Sequence, residues 1–516
     1  MKLGMRIKGP QADGGAAEAG VGGSIAPPKR YRQLYPVNAP YAYVGIAADP
    51  LTGELRYEVI EPQLTEGELK LVEDVKEALR YEADGEADKL RGKVDADYLE
   101  RNVKRLAKRY KLPLSENGFG KIMYYLKRDL LGYGKLDAVM RDPYVEDVSC
   151  DGVKVPVYVF HTRFESLPTN VVFENPYELD SFVRRLAYRA TQQITVARPI
   201  VEGSLPEGFR IHLTLSEVSR RGSTFTIRKY RAEPFTIVDL IDYGTISPEM
   251  AAYFWLLVEN MRSAMMAGPT ASGKTTMLNA VATFIKPEAK IVTIEETPEL
   301  RLPHENWIPM ITRPAFQPGV QEVGLFDLLK SALRQRPDYI IVGEIRGEEA
   351  YTFFQALAVG HGGLCTIHAE SIDAAVKRLE TKPMDVPRGL IPMINALAFL
   401  RRVKVGERMA RRVFELVEIV GLDPATGELM VNTAYRWDPA KDSFTFTGRS
   451  YMLERIADSL QVSVEELREE LRRRETVLRW MHRRRYRDFS TVSSIARAYL
   501  KSPSAVYKAA ETNAPW

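Results

Sequence analysis

The chain has 516 residues, 45% of them hydrophobic, so it is too long for one core and has enough apolar surface for two or three. Its 72 basic and 68 acidic residues leave a net charge of only +4, which excludes a uniformly basic nucleic-acid coat protein. Two cysteines, Cys150 and Cys365, exclude a disulfide framework and a four-cysteine zinc site, and they suit a reducing cytoplasm.

Residues 1–30 are rich in glycine and alanine and are expected to be a disordered tail; they lack the apolar core of a signal peptide. Residues 31–113 form a first α+β piece. In YAYVGIAADPLTGELRYEVIEP, apolar and polar residues alternate on both sides of a turn at Pro50–Gly53, which predicts a hairpin. Leu69, Val72, Val75 and Leu79 then predict one apolar helix face. Residues 114–234 mix short strands such as VPVYVFH, TNVVFE, FRIHLTL and STFTIRKY with helices near 122–131 and 177–191, which predicts a second α+β domain. Pro234 opens a linker over 235–245.

Over 246–447 the pattern changes to α/β. Ser247-Pro248-Glu249 predicts a helix start, with a capping hydroxyl and a proline at the first position. The apolar stretches SAMMA, KIVTI, DYIIV and LCTIH predict buried strands alternating with helices, hence a mostly parallel covered sheet. The longest apolar run, Gly389–Leu400, is broken by Asn395 and is too short to cross a bilayer. Residues 448–516 are expected to be a basic helical extension, with eight arginines between Arg472 and Arg487.

The strand SAMMA runs into GPTASGKTT, that is Gly268, Pro269, Thr270, Ala271, Ser272, Gly273, Lys274, Thr275 and Thr276. The spacing G-x-x-x-x-G-K-T between a strand and a helix marks a phosphate-binding loop. Its glycines let backbone N–H groups turn to the phosphates, and the helix N-terminus adds a positive dipole. Lys274 is expected to reach the β- and γ-phosphates of ATP, and Thr275 to ligate Mg²⁺.

Hydrolysis also needs acids near the metal and the attacking water. Glu295 and Glu296 follow KIVTI, and Glu344 follows DYIIV, so all three fall at the carboxyl ends of predicted strands, where α/β sheets place their ligands. His361 and His368 flank the strand in AVGHGGLCTIHAES. A neutral histidine there could sense the γ-phosphate; a satisfied structural histidine is the alternative.

The four stretches GPTASGKTT, IEETPEL, RQRPDYIIVGEIRGEEA and GHGGLCTIHAES resemble, in order, the Walker A, Asp box, Walker B and His box of the secretion ATPase superfamily. That group includes type II secretion system protein E, the type IV pilus motors and the archaellum motor. YPVNAPYAYVGI, DPYVEDVSCDGVKVPVYVFH and LPHENWI resemble its archaeal branch. The resemblance implies a RecA-like P-loop domain preceded by α+β domains and followed by a helical extension. It implies a homohexameric ATPase, with ATP bound between two lobes, at the cytoplasmic face of the membrane. There it would act on a polytopic membrane platform protein.

It further implies that Glu295 activates water, that Glu344 is the Walker B glutamate and a metal-site residue, and that Arg210, Arg221 and Arg228 bring guanidinium groups to the phosphates. The family carries aspartate where this chain has Glu296, which leaves the division of labour between Glu295 and Glu296 open. The basic C-terminal segment admits three readings: a solvated face, a docking surface for the platform protein or for anionic lipid headgroups, or nucleic-acid binding. Trp480 and Tyr486 alone make a poor stacking platform for the last, so no stable nucleic-acid partner is expected. A ring-shaped DNA translocase, or a conjugation or DNA-uptake ATPase, remains the alternative for the whole protein.

Overall fold

The computed structural model describes residues 31–49, 52–90, 96–109, 115–229, 233–313, 321–406 and 408–516. The expected tail 1–30, the hairpin tip at Pro50 and Leu51, the boundary at residue 113 and the side chain of Leu79 lie outside the described part. The chain divides into two compact units, 1–205 with 211–229, and 206–210 with 230–516.

The first unit is built on one nine-stranded sheet. Its strands run across in the order Tyr31–Asn38, Ala42–Ala48, Leu55–Ile60, Glu165–Val172, Pro156–His161, Val145–Cys150, Thr224–Arg228, Arg210–Thr214 and Ile200–Ser204. The two α+β pieces expected to part near residue 113 are therefore joined, through the parallel pairing of Tyr57 with Thr169. A buried carboxylate strengthens the join, since Asp142 accepts hydroxyl hydrogen bonds from Tyr35 at 2.6 Å and Tyr57 at 2.8 Å. The helices Glu66–Leu90, Ala96–Arg109 and Glu116–Leu126 close a small core of Leu71, Val72, Val75, Leu99, Val103 and Ile122. Leu69, expected on the apolar face, is 53% exposed; Leu71 takes its place.

The second unit is an α/β layer of the RecA type. Six parallel strands lie in the order Trp307–Ile311, Ile291–Glu295, Tyr339–Val342, Gly362–Ile367, Ala264–Ala267 and Ala396–Val405. The antiparallel strands Arg408–Leu422, Leu429–Asp438 and Ser443–Phe446 extend the sheet beyond them. Strand alternation splits the apolar residues between two cores. Met266, Ile291 and Ile341 face one, whereas Met265, Val292, Ile294 and Ile340 face the other. The helix Pro248–Glu259, capped by Ser247 Oγ accepting from the Met250 N–H, packs in the first core.

One stretch differs from expectation. Residues 235–245 are not a linker, because Thr236 and Asp239 cap each other around the helix Ile237–Asp242, whose Ile237 and Val238 are fully buried. The helical extension expected over 448–516 is present, and it is packed. Its helices Tyr451–Leu460, Val464–Arg484, Phe489–Lys501 and Pro503–Glu511 bury Met452, Ile456, Leu478, Trp480 and Tyr499 in the same core as the helix Pro248–Glu259. Arg474 seals that contact, pairing with Glu259 at 2.5 Å and Glu470 at 2.9 Å beneath the Trp255 and Tyr499 rings.

Candidate active site

Ala267 ends its strand level with Ile367, and Val342 lies beside Ile294, so the residues that follow these strands emerge at one edge of the sheet. The loop Gly268–Gly273 is held in an unusual backbone path. Gly268 has φ of 153°, and a Cβ there would sit 2.4 Å from the Leu400 carbonyl oxygen. Ala271 at 61° and Gly273 at 94° are left-handed, and Gly273 starts the helix Lys274–Ala282. The loop thus presents its N–H groups and a helix N-terminus together.

Lys274 is buried at the loop's centre, and its Nζ donates to the Pro269 carbonyl at 3.0 Å. Desolvation lowers its pKa, opposed mainly by Glu344. His368 bridges the two, with Nδ1 3.5 Å from Lys274 Nζ and Nε2 3.3 Å from Glu344 Oε1. Burial first, then the neighbouring charge of Lys274, pushes the histidine pKa below its ordinary value. A neutral ring with its proton on Nε2 satisfies both contacts: it accepts from the ammonium and donates to the carboxylate. Three of the expected site residues, 94 positions apart at the widest pair, meet in one chain of polar contacts.

Glu295 is 4% exposed at the end of its strand. Its Oε1 accepts the N–H groups of Glu299 and Leu300, each at 3.0 Å, and thereby shapes the turn that follows. Desolvation outweighs those two hydrogen bonds and pushes the carboxyl pKa up to about 7. Glu296 is different: it is partly exposed and ion-paired with Arg346. Burial therefore separates the two adjacent acids, and it is what raises the Glu295 carboxyl.

His361 is a correction. It sits at the N-terminal end of the strand Gly362–Ile367, the end away from the loop, and its Nδ1 bonds the Pro337 carbonyl at 2.7 Å. It fastens the start of a strand. Arg210 opens the strand Arg210–Thr214, Arg221 lies in a turn where its carbonyl accepts the Val153 N–H, and Arg228 ends a strand with Nε 3.6 Å from Asp147. Arg210 and Arg228 stand on strands of the first nine-stranded sheet, and Arg221 in a turn before the last of these strands in sequence.

Two further arginines escaped sequence reading. Arg378 donates to the His368 carbonyl at 3.1 Å, and Arg411 donates from Nε to the Ala271 carbonyl at 3.1 Å. Neither lies in a recognisable motif; only tertiary packing brings them to the loop. Among the described residues no group of three His, Cys, Asp or Glu side chains could cage a metal. A hydroxyl and a carboxylate, as offered by Thr275 and Glu344, suit Mg²⁺ that keeps waters and takes phosphate oxygens.

Residues 158–398 match the family described as Type II/IV secretion system protein. An uncharacterized protein of Methanocaldococcus jannaschii is 38% identical over 444 residues, covering 82% of this chain and 80% of that protein. The chain belongs to the type II/IV secretion system protein family. The type IV secretion system protein PtlH of Bordetella pertussis is 31% identical over 258 residues, 44% of this chain and 76% of PtlH. Among solved structures, the VirB11 ATPase from the Brucella suis type IV secretion system is 26% identical over 55% of this chain and 91% of its own, with a TM-score of 0.28. The family match spans all four motif stretches in one continuous block, together with the strands that carry Arg210 and Arg228 and the turn that carries Arg221. No helix among the described residues of this secretion-family chain is long and apolar enough to cross a membrane.

Proposed function

We propose that this secretion-family protein is an ATP-hydrolysing motor. In this reading it works as a homohexameric ring at the cytoplasmic face of the membrane, where it drives a polytopic membrane platform protein to assemble pilus-like filaments or to secrete protein. The observation that carries the proposal is the convergence of Lys274, His368, Glu344 and the buried Glu295 at the sheet edge that holds the phosphate loop.

The roles follow from the chemistry of each group. Loop N–H groups and Lys274 receive the β- and γ-phosphates. Ionised Glu295, with a pKa near the working pH, takes a proton from the attacking water. His368 relays the state of Glu344 to Lys274 through its two ring nitrogens, and so ties the acid's position to the presence of phosphate. Mg²⁺, when bound through Thr275 and Glu344, would neutralise phosphate charge. Arg210, Arg221 and Arg228 are assigned to phosphate oxygens, which a guanidinium can grip bidentately. Phosphate contacts that favour one conformation and vanish on hydrolysis are what a motor requires.

A relative in Mycobacterium tuberculosis named as a putative conjugal transfer protein, 31% identical over 277 residues, keeps DNA transfer as a second reading. ATP turnover by the purified chain, measured alone, with anionic vesicles and with DNA, separates the two. Stimulation by vesicles and not by DNA supports the membrane motor. Stimulation by DNA alone, falling steeply with salt, contradicts it.

A further inference from the structure

Arg411 lies outside all four motif stretches, yet it touches the phosphate loop. It stands on the strand Arg408–Leu422, opposite Arg402 of the antiparallel strand Ala396–Val405. Alternation turns Arg412 inward, where it is buried against Asp442, and leaves Arg411 on the exposed face. Like charges placed opposite each other weaken a hairpin, so this strand pair gains nothing from Arg411 itself.

Its contacts are with the loop. Arg411 Nε donates to the Ala271 carbonyl at 3.1 Å, and its Cδ lies 3.2 Å from where a Cβ on Gly273 would stand. Ala271 is the non-glycine residue of the loop with left-handed φ, a conformation that an alanine adopts only under constraint. In a trans peptide the carbonyl of Ala271 and the N–H of Ser272 point in opposite directions. With the carbonyl held outward by Arg411, that N–H is turned into the loop, where it donates to the Pro269 carbonyl at 3.4 Å, an acceptor it shares with Lys274 Nζ. The Ser272 hydroxyl is fully buried beside it and has no partner among the described residues.

We propose that Arg411 is a positioning residue for the phosphate loop: its Nε–H, gripping the Ala271 carbonyl from outside, keeps the Ser272 N–H turned inward, where phosphate would replace the Pro269 carbonyl as its acceptor. The proposal rests on the reading of this loop as the ATP site. It assigns the work to a hydrogen bond at a fixed depth rather than to charge. Glutamine places an N–H donor at the same number of bonds from Cα as arginine Nε, whereas lysine keeps the charge and loses that donor.

The test is a titration of the full chain with MgADP by calorimetry, for wild type, Arg411→Ala, Arg411→Gln and Arg411→Lys, with thermal melting in the absence of nucleotide as the folding control. We expect Arg411→Ala and Arg411→Lys to weaken binding about tenfold, and Arg411→Gln to stay within about threefold of wild type. The KM for ATP should rise in the same order, with kcat at saturation nearly unchanged. Lysine binding like wild type while glutamine binds like alanine would overturn the proposal in favour of charge. Wild-type affinity in all three variants would overturn it outright. If the wild-type chain itself bound no MgADP, the ATP-site reading would fail instead. Should Arg411→Ala not fold, glutamine against lysine still decides.

Discussion

Glu295 and Glu296 are neighbours in sequence and differ in chemistry because only one is buried. For Glu295 the folded pKa of about 7 lies above the ordinary 4.5, so its effect on stability is fully favourable below pH 4.5 and is lost as pH rises toward 7. At about 1.4 kcal/mol per pH unit, that makes ionised Glu295 a cost of about 3 to 4 kcal/mol above pH 7. Glu295→Gln keeps an acceptor for the Glu299 and Leu300 N–H groups and removes the titration. Thermal melting should show the variant gaining on wild type between pH 5 and pH 7 and holding a constant lead above that. A lead independent of pH would contradict the buried, titrating carboxyl. As the proposed base, Glu295 should also give wild-type kcat/KM an acid limb with an apparent pKa near 7, absent from the residual rate of the variant.

Among the elements, the phosphate strand and its loop were legible in the sequence because Gly268, Gly273, Lys274 and Thr275 each have a backbone or ligand duty that few other residue types can perform. The buried strands were legible from their unbroken apolar runs. The Lys274–His368–Glu344 chain was legible only as three separate candidates, since strand register rather than sequence spacing brings them together. Arg411 could not be found that way, because it arrives from a hairpin whose register no local pattern announces.

The C-terminal arginines do not share one environment. Read along the chain they form a basic run, but Arg468, Arg472, Arg473 and Arg479 pair with glutamates one turn away, and Arg474 is buried. Arg474→Ala would leave Glu259 and Glu470 without their shared cation in a packed interface. We expect a loss of about 3 kcal/mol or more, read from urea unfolding. The surface change Arg472→Ala should cost under about 1 kcal/mol. Equal effects would show that Arg474 does not seal the helical block.

At the scale of the whole molecule, the helical block 448–516 belongs to the second unit's core, and the expected boundary at 447 is no place to cut. Removing 448–516 would uncover Trp255, which packs against Tyr499 and Arg474, so the shortened chain should be insoluble or bind hydrophobic dye, while a merely solvated extension would leave a soluble, ATP-binding protein.

The central claim is that the residues gathered at one sheet edge hydrolyse ATP. The most direct measurement is steady-state ATP turnover by the full chain and by Glu344→Gln, each with its ATP affinity determined in parallel. The account predicts measurable wild-type turnover, and in the variant a fall of about 100-fold or more with ATP affinity kept within a few-fold. Wild-type turnover that survives the substitution unchanged, or a wild-type chain that binds ATP and never turns it over, would contradict it.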